Sequence, residues 1–520
     1  MSLAETLLIL AVICVTLSLL AQKLNAPYAV MLVLGGMAVA FVPQIPDFRL
    51  DPEFALAFFL PPLLQAGAWR TDWAEFRRRL DAILLLAIGA VLFTAACIAL
   101  VAKWLLPGLP WAAAVALGAI VAPPDAVAAA AVLKRLRMPR GIVSVLEGES
   151  LINDAASLVL YRLAVGALVA GQFSVAQAGL SFLGTGFGGL LIGYALGRAA
   201  LWAMPRLEDS TLQIALSFLL AFAAYLLAES FHASGVIAVV TGGFVLSRGQ
   251  RRVISADARQ QSLAVWDFTE FLLNTLVFIL VGMQLATITA RLSGHGLVEL
   301  GLMALALSAV LVLSRSAWVY AVSWLPERLL RPAEQRTPAS HYAVVSWAGM
   351  RGVVSLAAAL ALPLETPDRD LLVFLTFCAI FVTLVLQGTT LEWVIRWLGV
   401  EEPLRKGMTA EEADARRLIA RAALAELEGH ADSPIDGAVA GDLIPEFRNI
   451  SRVFDAVAKG RSRAELRARL QLRLAALRAG QKRLLEQHEG VGLSEELLAS
   501  LTSEMDHEEI RLLALLRATG

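Results

Sequence analysis

Charge is what this chain has least of. Asp, Glu, Lys and Arg make up 17% of its 520 residues, against about 25% in an average soluble protein. Neither sign is in excess, because 44 Lys and Arg face 45 Asp and Glu. Binding a polyanion takes a basic patch, so a nucleic-acid binder is excluded. Histidine is scarce too: the 6 residues are scattered through loops and tail, in no ligand-cluster spacing. Cys14, Cys97 and Cys378 are the only cysteines. They stand far apart inside apolar runs, which excludes a disulfide framework and a thiolate metal site, and they read as buried structural thiols. What is there instead is apolar: 58% hydrophobic residues and a mean hydropathy of +0.67. That balance excludes a disordered chain and argues against a single soluble enzyme domain.

The few charges are unevenly spread. Residues 401–520 hold 18 Lys and Arg and 21 Asp and Glu, or 39 of 89 charges, and the first 400 residues keep 50. The split reads as a transmembrane domain over 1–400 and a charged, cytoplasmic helical domain over 401–520.

A run of about 20 apolar residues crosses a bilayer as a helix. Such runs lie near 5–22, 26–43, 54–69, 82–105, 111–133, 141–169, 179–204, 211–230, 234–248, 263–288, 297–324, 341–363 and 370–398. The sequence therefore predicts an all-α membrane protein with about thirteen spans. The first run opens on Glu5 rather than a basic segment, unlike a cleaved signal peptide. Basic residues favour cytoplasmic loops, and they cluster after odd-numbered spans. These are Arg70, Arg77, Arg78 and Arg79; Lys134, Arg135, Arg137 and Arg140; Arg248, Arg251, Arg252 and Arg259; and Arg328, Arg331 and Arg336. Loops after even-numbered spans have single occupants in Arg49, Arg291 and Arg369. The alternation puts the N-terminus outside and the tail in the cytoplasm. Trp69, Trp104, Trp202 and Trp324 fall near span ends and read as interfacial anchors.

Several spans carry helix breakers: Pro61 and Pro62 in span 3, Pro123 and Pro124 in span 5, Gly349 and Gly352 in span 12. Irregular backbone at membrane depth survives only inside protein or beside a water-filled cavity. Breaks at matching positions of two halves mark the substrate site of a secondary transporter. Spans 5 and 12 are seven apart, as inverted six-span repeats around a central seventh helix require. Kinks and small-residue packing are the alternative origin of such residues.

Ionisable groups within spans are costly and so are functional candidates. Asp125 follows Pro123 and Pro124. In span 6, Ser150 and Asp154 are four apart and share a helix face, with Glu147 a turn earlier; Glu149 and Asn153 form a second such pair on the adjacent stripe. Span 11 carries Arg315 and span 12 carries Arg351. A buried arginine cannot readily shed its proton and needs a carboxylate. A buried acid with no cation beside it favours its neutral form and can trade a proton for a cation. Hard cations prefer oxygen ligands. Asp125, Ser150, Asp154 and carbonyls freed near Pro124 are the candidate set, with no cofactor called for. At span ends, Glu229, Asp267 and Glu270 read as solvated or pore-mouth acids.

These residues carry a resemblance. Pro124-Asp125-Ala126-Val127 and Gly148-Glu149-Ser150-Leu151-Ile152-Asn153-Asp154-Ala155 resemble the core of sodium/proton exchangers of the monovalent cation:proton antiporter-1 family. Phe59–Leu64, Phe271–Gly282 and Trp347–Ser355 extend the likeness over about residues 5–400. The resemblance implies a dimeric antiporter of the cell membrane, with spans 5 and 12 broken and crossing near the midplane. Spans 4–6 and 11–13 would form a moving core, and spans 1–3 with 8–10 a dimerising scaffold. Asp154 matches the ion-binding aspartate and Asn153 its neighbour, while Ser150 and Asp125 match further ion-site positions. Glu149 and Arg315 match a structural ion pair, and Arg351 the arginine of the broken span 12. Two positions depart: Pro124 replaces a Thr found in many relatives, and Ala66 stands where many carry a glutamate. The Asn153-Asp154 pair, rather than two aspartates, resembles electroneutral one-for-one exchangers of protons for Na⁺, K⁺ or Li⁺. A passive channel and an intramembrane protease dyad are the readings from other classes; the chain lacks the Gly-x-Gly-Asp and Tyr-Asp elements of the latter.

The tail predicts helices over 408–429 and 461–489, then Gly490 and Gly492 as breakers, then a helix capped by Ser494 and running to 517. Arg461, Arg463, Arg467, Arg469, Arg473 and Arg478 form a basic stretch, which reads as a solvated face or a contact for anionic lipid.

Overall fold

The computed structural model describes residues 3–24, 26–41, 52–125, 129, 132–133, 136, 138–170, 175–250, 253–290, 292, 296–330, 332, 336–401, 410–431, 437–458, 463–491 and 495–519. All regular structure among them is helical. The chain divides into two compact units, Met1–Glu401 and Glu402–Gly520.

The first unit contains α1 (Leu3–Lys23), α2 (Tyr28–Ala40), α3 (Pro52–Arg70), α4 (Trp73–Arg78), α5 (Leu80–Leu105), α6 (Trp111–Val121), α7 (Arg140–Ala170), α8 (Val175–Ala203), α9 (Ser210–Ser230) and α10 (Gly235–Gln250). It continues with α11 (Ala256–Ala290), α12 (Leu297–Trp318), α13 (Ala339–Trp347), α14 (Val353–Leu360) and α15 (Arg369–Trp397). Among the described residues, seven helices are long and apolar enough to cross a membrane: those in α5, α7, α8, α9, α11, α12 and α15. Apolar stretches in α1, α2 and α6 are shorter.

Small residues set how closely these helices approach. α2 lies along α11, and a Cβ on Gly36 or Gly282 would overlap the backbone of the other helix. Without side chains at that point the backbones touch, as small-residue membrane interfaces allow. α6 is flanked by α5 and α7, and α14 packs against α3, α6 and α15. One apolar cluster runs through the bundle, from Leu10 and Leu32 to Leu117, Phe278 and Leu372.

The helix breakers behave differently from one another. α3 continues through Pro61 and Pro62, against the expected interruption. Proline there removes N–H donors but keeps a helical φ, and a buried membrane helix can absorb that loss. The breaks at the other two positions are real. α6 ends at Val121, ahead of Pro123 and Pro124, and helix stops between Trp347 and Val353.

Other details correct or limit the sequence reading. Cys14 is buried, but Cys97 and Cys378 are only half-buried. Trp104 and Trp202 are exposed, whereas Trp69 packs on Trp266, centroids 6.0 Å apart. Glu229 is not simply solvated: it holds Arg162 at 2.5 Å and accepts from the backbone N–H of Gly235 at the start of α10. Arg49, Lys134, Arg135, Arg137, Arg251, Arg252, Arg291 and Arg331 lie outside the described residues, as do Ala126 and Val127.

The second unit contains α16 (Ala410–Gly429), α17 (Gly437–Ala458), α18 (Arg463–Val491) and α19 (Glu495–Thr519). α16 packs on α17, and α18 packs on α19 around Leu466, Leu470, Leu474 and Leu512. α18 runs on through Gly490, where a breaker was expected. α17 was not anticipated; Pro445 sits inside it, and its apolar residues gather on one face. Arg461, Gly492 and Ser494 lie outside the described residues.

Candidate functional site

The two breaks meet. The N–H of Asp125, just past the α6 break, donates to Met350 O in the α13–α14 break at 2.7 Å. Arg351 reinforces the crossing. Its Nε donates to Val121 O, the last residue of α6, at 2.6 Å, and its Nη1 donates to Gly349 O. Its backbone N–H donates to Thr383 Oγ1 at 3.1 Å. At 1% exposure, this guanidinium sits at the negative end of a half-helix, where a cation is stabilised. α7 supplies two further donors. Asn153 Nδ2 donates to Pro124 O at 2.9 Å and Ser157 Oγ to Ala119 O at 2.7 Å. Carbonyls that a broken helix would leave bare in an apolar interior are thereby bonded.

Beside the crossing lies a cavity of about 120 Å³. Asp125, Ser150 and Asp154 line it together, with Pro124 and Ser355. Asp154 is buried, at 9% exposure. The i,i+4 spacing on α7 sends Ser150 and Asp154 into the cavity, while the adjacent stripe carries Asn153 towards Pro124 and Glu149 towards α12. Asp125 lies at the N-terminus of α14, and a Cβ on Gly352 would overlap its carboxylate. Gly352 has an extended backbone, φ −128° and ψ −159°, that any residue adopts. Space for the carboxylate, not conformational freedom, requires glycine here. The helix N-terminus favours the carboxylate's negative charge.

Glu149 and Arg315 form a separate buried pair. Arg315 Nη1 reaches Glu149 Oε1 at 2.5 Å and Nη2 reaches Oε2 at 2.9 Å. Nε and Nη2 also donate to Val345 O at 3.3 and 3.1 Å, so one side chain joins α7, α12 and α13. The exposures are 1% for Glu149 and 2% for Arg315. This carboxylate is committed to an arginine and lies off the cavity.

The cavity also gathers residues that the sequence reading left at the rim or passed over. Glu147, Glu270, Asn274 and Arg70 line it. Arg70 pairs with Glu270 and, at 2.6 Å, with Asp267. Glu270 and Asn274 stand four apart in α11, the same spacing that singled out Ser150 and Asp154. That spacing could have found the pair, but Glu270, near the start of its span, read as a solvated or pore-mouth acid. Ala66, where many relatives have a glutamate, is buried; Gln65 beside it is fully buried, and neither of its side-chain polar atoms has a hydrogen-bond partner among the described residues.

The geometry agrees with what the chain is similar to. The family described as "Sodium/hydrogen exchanger, transmembrane" matches residues 8–397. An uncharacterized Na(+)/H(+) exchanger of Mycobacterium bovis is 34% identical over 505 residues, spanning 93% of this chain and 91% of that protein. A sodium, potassium, lithium and rubidium/H(+) antiporter of Bacillus pumilus is 31% identical over 515 residues, spanning 93% of this chain and 76% of that protein. Among solved structures, the sodium proton antiporter MjNhaP1 of Methanocaldococcus jannaschii shares the fold. Its TM-score is 0.60 at 20% identity, over 75% of this chain and 100% of that one. The chain belongs to the sodium/hydrogen exchanger family of transmembrane proteins.

Proposed function

We propose that this protein is a secondary antiporter that exchanges protons for monovalent cations across the plasma membrane by alternating access. One observation carries the reading: two carboxylates, Asp125 and Asp154, share a small cavity with the Ser150 hydroxyl beside two crossed helix breaks. A carboxylate binds either a proton or a hard cation, and the two compete for the same oxygens. Each outward cation is then answered by an inward proton at the same site, so exchange is electroneutral and needs no second coupling device. Asp154 is the exchange group and Asp125 its partner. Ser150 adds a neutral oxygen, as does Pro124 O, which has a second lone pair beyond the one Asn153 uses. Asn153 holds the Pro124 backbone in position. Arg351 supports the site from behind, and Glu149 with Arg315 is structural. Na⁺ is the reference substrate. The family relative that handles sodium, potassium, lithium and rubidium supports K⁺ and Li⁺ as further substrates.

The architecture that goes with this function has thirteen spans in inverted repeats over residues 1–400, assembled as a homodimer in the lipid bilayer. The N-terminus is outside, and residues 401–520 form a cytoplasmic domain. The basic loops after odd-numbered spans support that orientation.

The test is cation-induced proton movement in proteoliposomes, with Na⁺, K⁺ and Li⁺ series at several pH values. Asp154→Asn is expected to abolish exchange for every cation while eluting from gel filtration like the wild type. Exchange at the wild-type rate by that variant refutes the assignment.

A further inference from the structure

Helices α3, α7, α11 and α14 all contribute to the cavity lining, and the first three form ladders along it. On α7 the lining runs from Glu147 to Asp154, on α11 from Glu270 to Asn274, and on α3 from Arg70 to Gly67 and inward. Seven residues of helix separate Glu147 from Asp154, about 10 Å along the axis. Arg70 is the last residue of α3. The cavity therefore has an inner end at Asp125 and Asp154 and an outer end at Arg70, Glu147 and Glu270.

The outer end contains an anomaly. A permanent positive charge stands on the route proposed for a cation, where it repels its own substrate unless neutralised. Two acids of α11 hold Arg70: Glu270, with its side chain 18% exposed, and Asp267, 68% exposed. The acids are three residues apart and adjacent on one helix face. The inner one lines the cavity and the outer one does not. A guanidinium has donors enough to hold both or to lean on either.

We propose that Arg70 is a tethered competitor at the cation entrance. It occupies Glu270, a carboxylate at the outer end of the cavity, and gives it up by shifting onto Asp267. The proposal rests on the antiport reading and adds a specificity-determining triad to it. A monovalent cation enters when it takes Glu270 from the guanidinium, and Asp267 lowers the cost of that exchange by receiving Arg70. Asn274, one turn deeper, is the next polar step towards Asp154.

The test is the KM and kcat for Na⁺ of proteoliposome exchange in a double-mutant series. Arg70→Gln removes the competitor and is expected to lower KM about threefold, the effect of one partly exposed ion pair, without lowering kcat. Asp267→Asn removes the receiving group and raises KM about threefold in the wild-type background. In the Arg70→Gln background it has no further effect, because there is no guanidinium left to receive. A KM for Arg70→Gln equal to or above wild type overturns the proposal. So does an Asp267→Asn effect of equal size in both backgrounds, which makes Asp267 a simple attractor of cations. Should Arg70→Gln fail to fold, an unchanged KM in Asp267→Asn overturns it. A wild-type protein with no cation-dependent proton movement refutes the antiport reading itself, and the entrance role with it.

Discussion

Arg315 carries a charge it cannot shed, and among the described residues only Glu149 neutralises it directly. Losing one partner of such a buried pair strands the other charge in a low dielectric, at a cost of about 3–5 kcal/mol. Arg315→Ala is therefore expected to lower the melting temperature of the purified protein sharply. Replacing both residues by apolar ones, as in Glu149→Leu with Arg315→Met, should recover much of that loss. Thermal unfolding followed by tryptophan fluorescence compares them; a double replacement no more stable than Arg315→Ala counts against the pair. The sequence showed that a cation inside a span needs an acid. It could not show which acid, because the partners are 166 residues apart and several carboxylates compete. The choice of Glu149 came from resemblance. Asp125, Ser150 and Asp154 were legible from helical spacing and the neighbouring prolines. Arg70, Asp267 and Glu270 were not legible as a group, because each alone is an ordinary polar residue near a span end.

A helix break in an apolar interior is stable only if its freed carbonyls find donors. Around Pro123 and Pro124 the donors are Arg351, Asn153 and Ser157, all from other elements. This explains why proline is a poor guide on its own: the pair at Pro61 and Pro62 leaves α3 intact. Sequence shows where a donor is missing and not where a replacement waits. At the other break, the carboxylate of Asp125 fills the space a side chain on Gly352 would need. Gly352→Ala keeps an allowed backbone but pushes that carboxylate away. It is expected to cut exchange at least tenfold (about 1.4 kcal/mol) in a protein that still elutes as wild type. Exchange within twofold of wild type would show that the carboxylate moves without consequence.

On the scale of the whole chain, hydropathy alone outlined the apolar body, because burial in lipid demands long uninterrupted runs. Helix pairing was beyond it: nothing in the pattern says that α2 meets α11 at Gly36 and Gly282. In the tail, the strongly helical composition of α16 and α18 was readable, while the mixed α17 was not. Every described residue lining the cavity falls between Leu60 and Ser355, well inside the first unit. A chain ending at Glu401 is therefore expected to fold and to exchange cations for protons in proteoliposomes, with the second unit adjusting activity rather than supplying it. A truncated chain that folds and shows no exchange would make the second unit part of the transport machinery.

The hydrogen bonds at the crossing also restrict how the molecule can move. Two interrupted helices look like two joints. Here Asp125 N–H is tied to Met350 O, and one guanidinium is tied to both Val121 O and Gly349 O. Bending either break alone would tear bonds from the other around Met350 and Arg351, each 1% exposed. In mechanical terms the crossing is a welded node, not a pair of elbows. Its two halves share their degrees of freedom, so a displacement of one break carries the other with it.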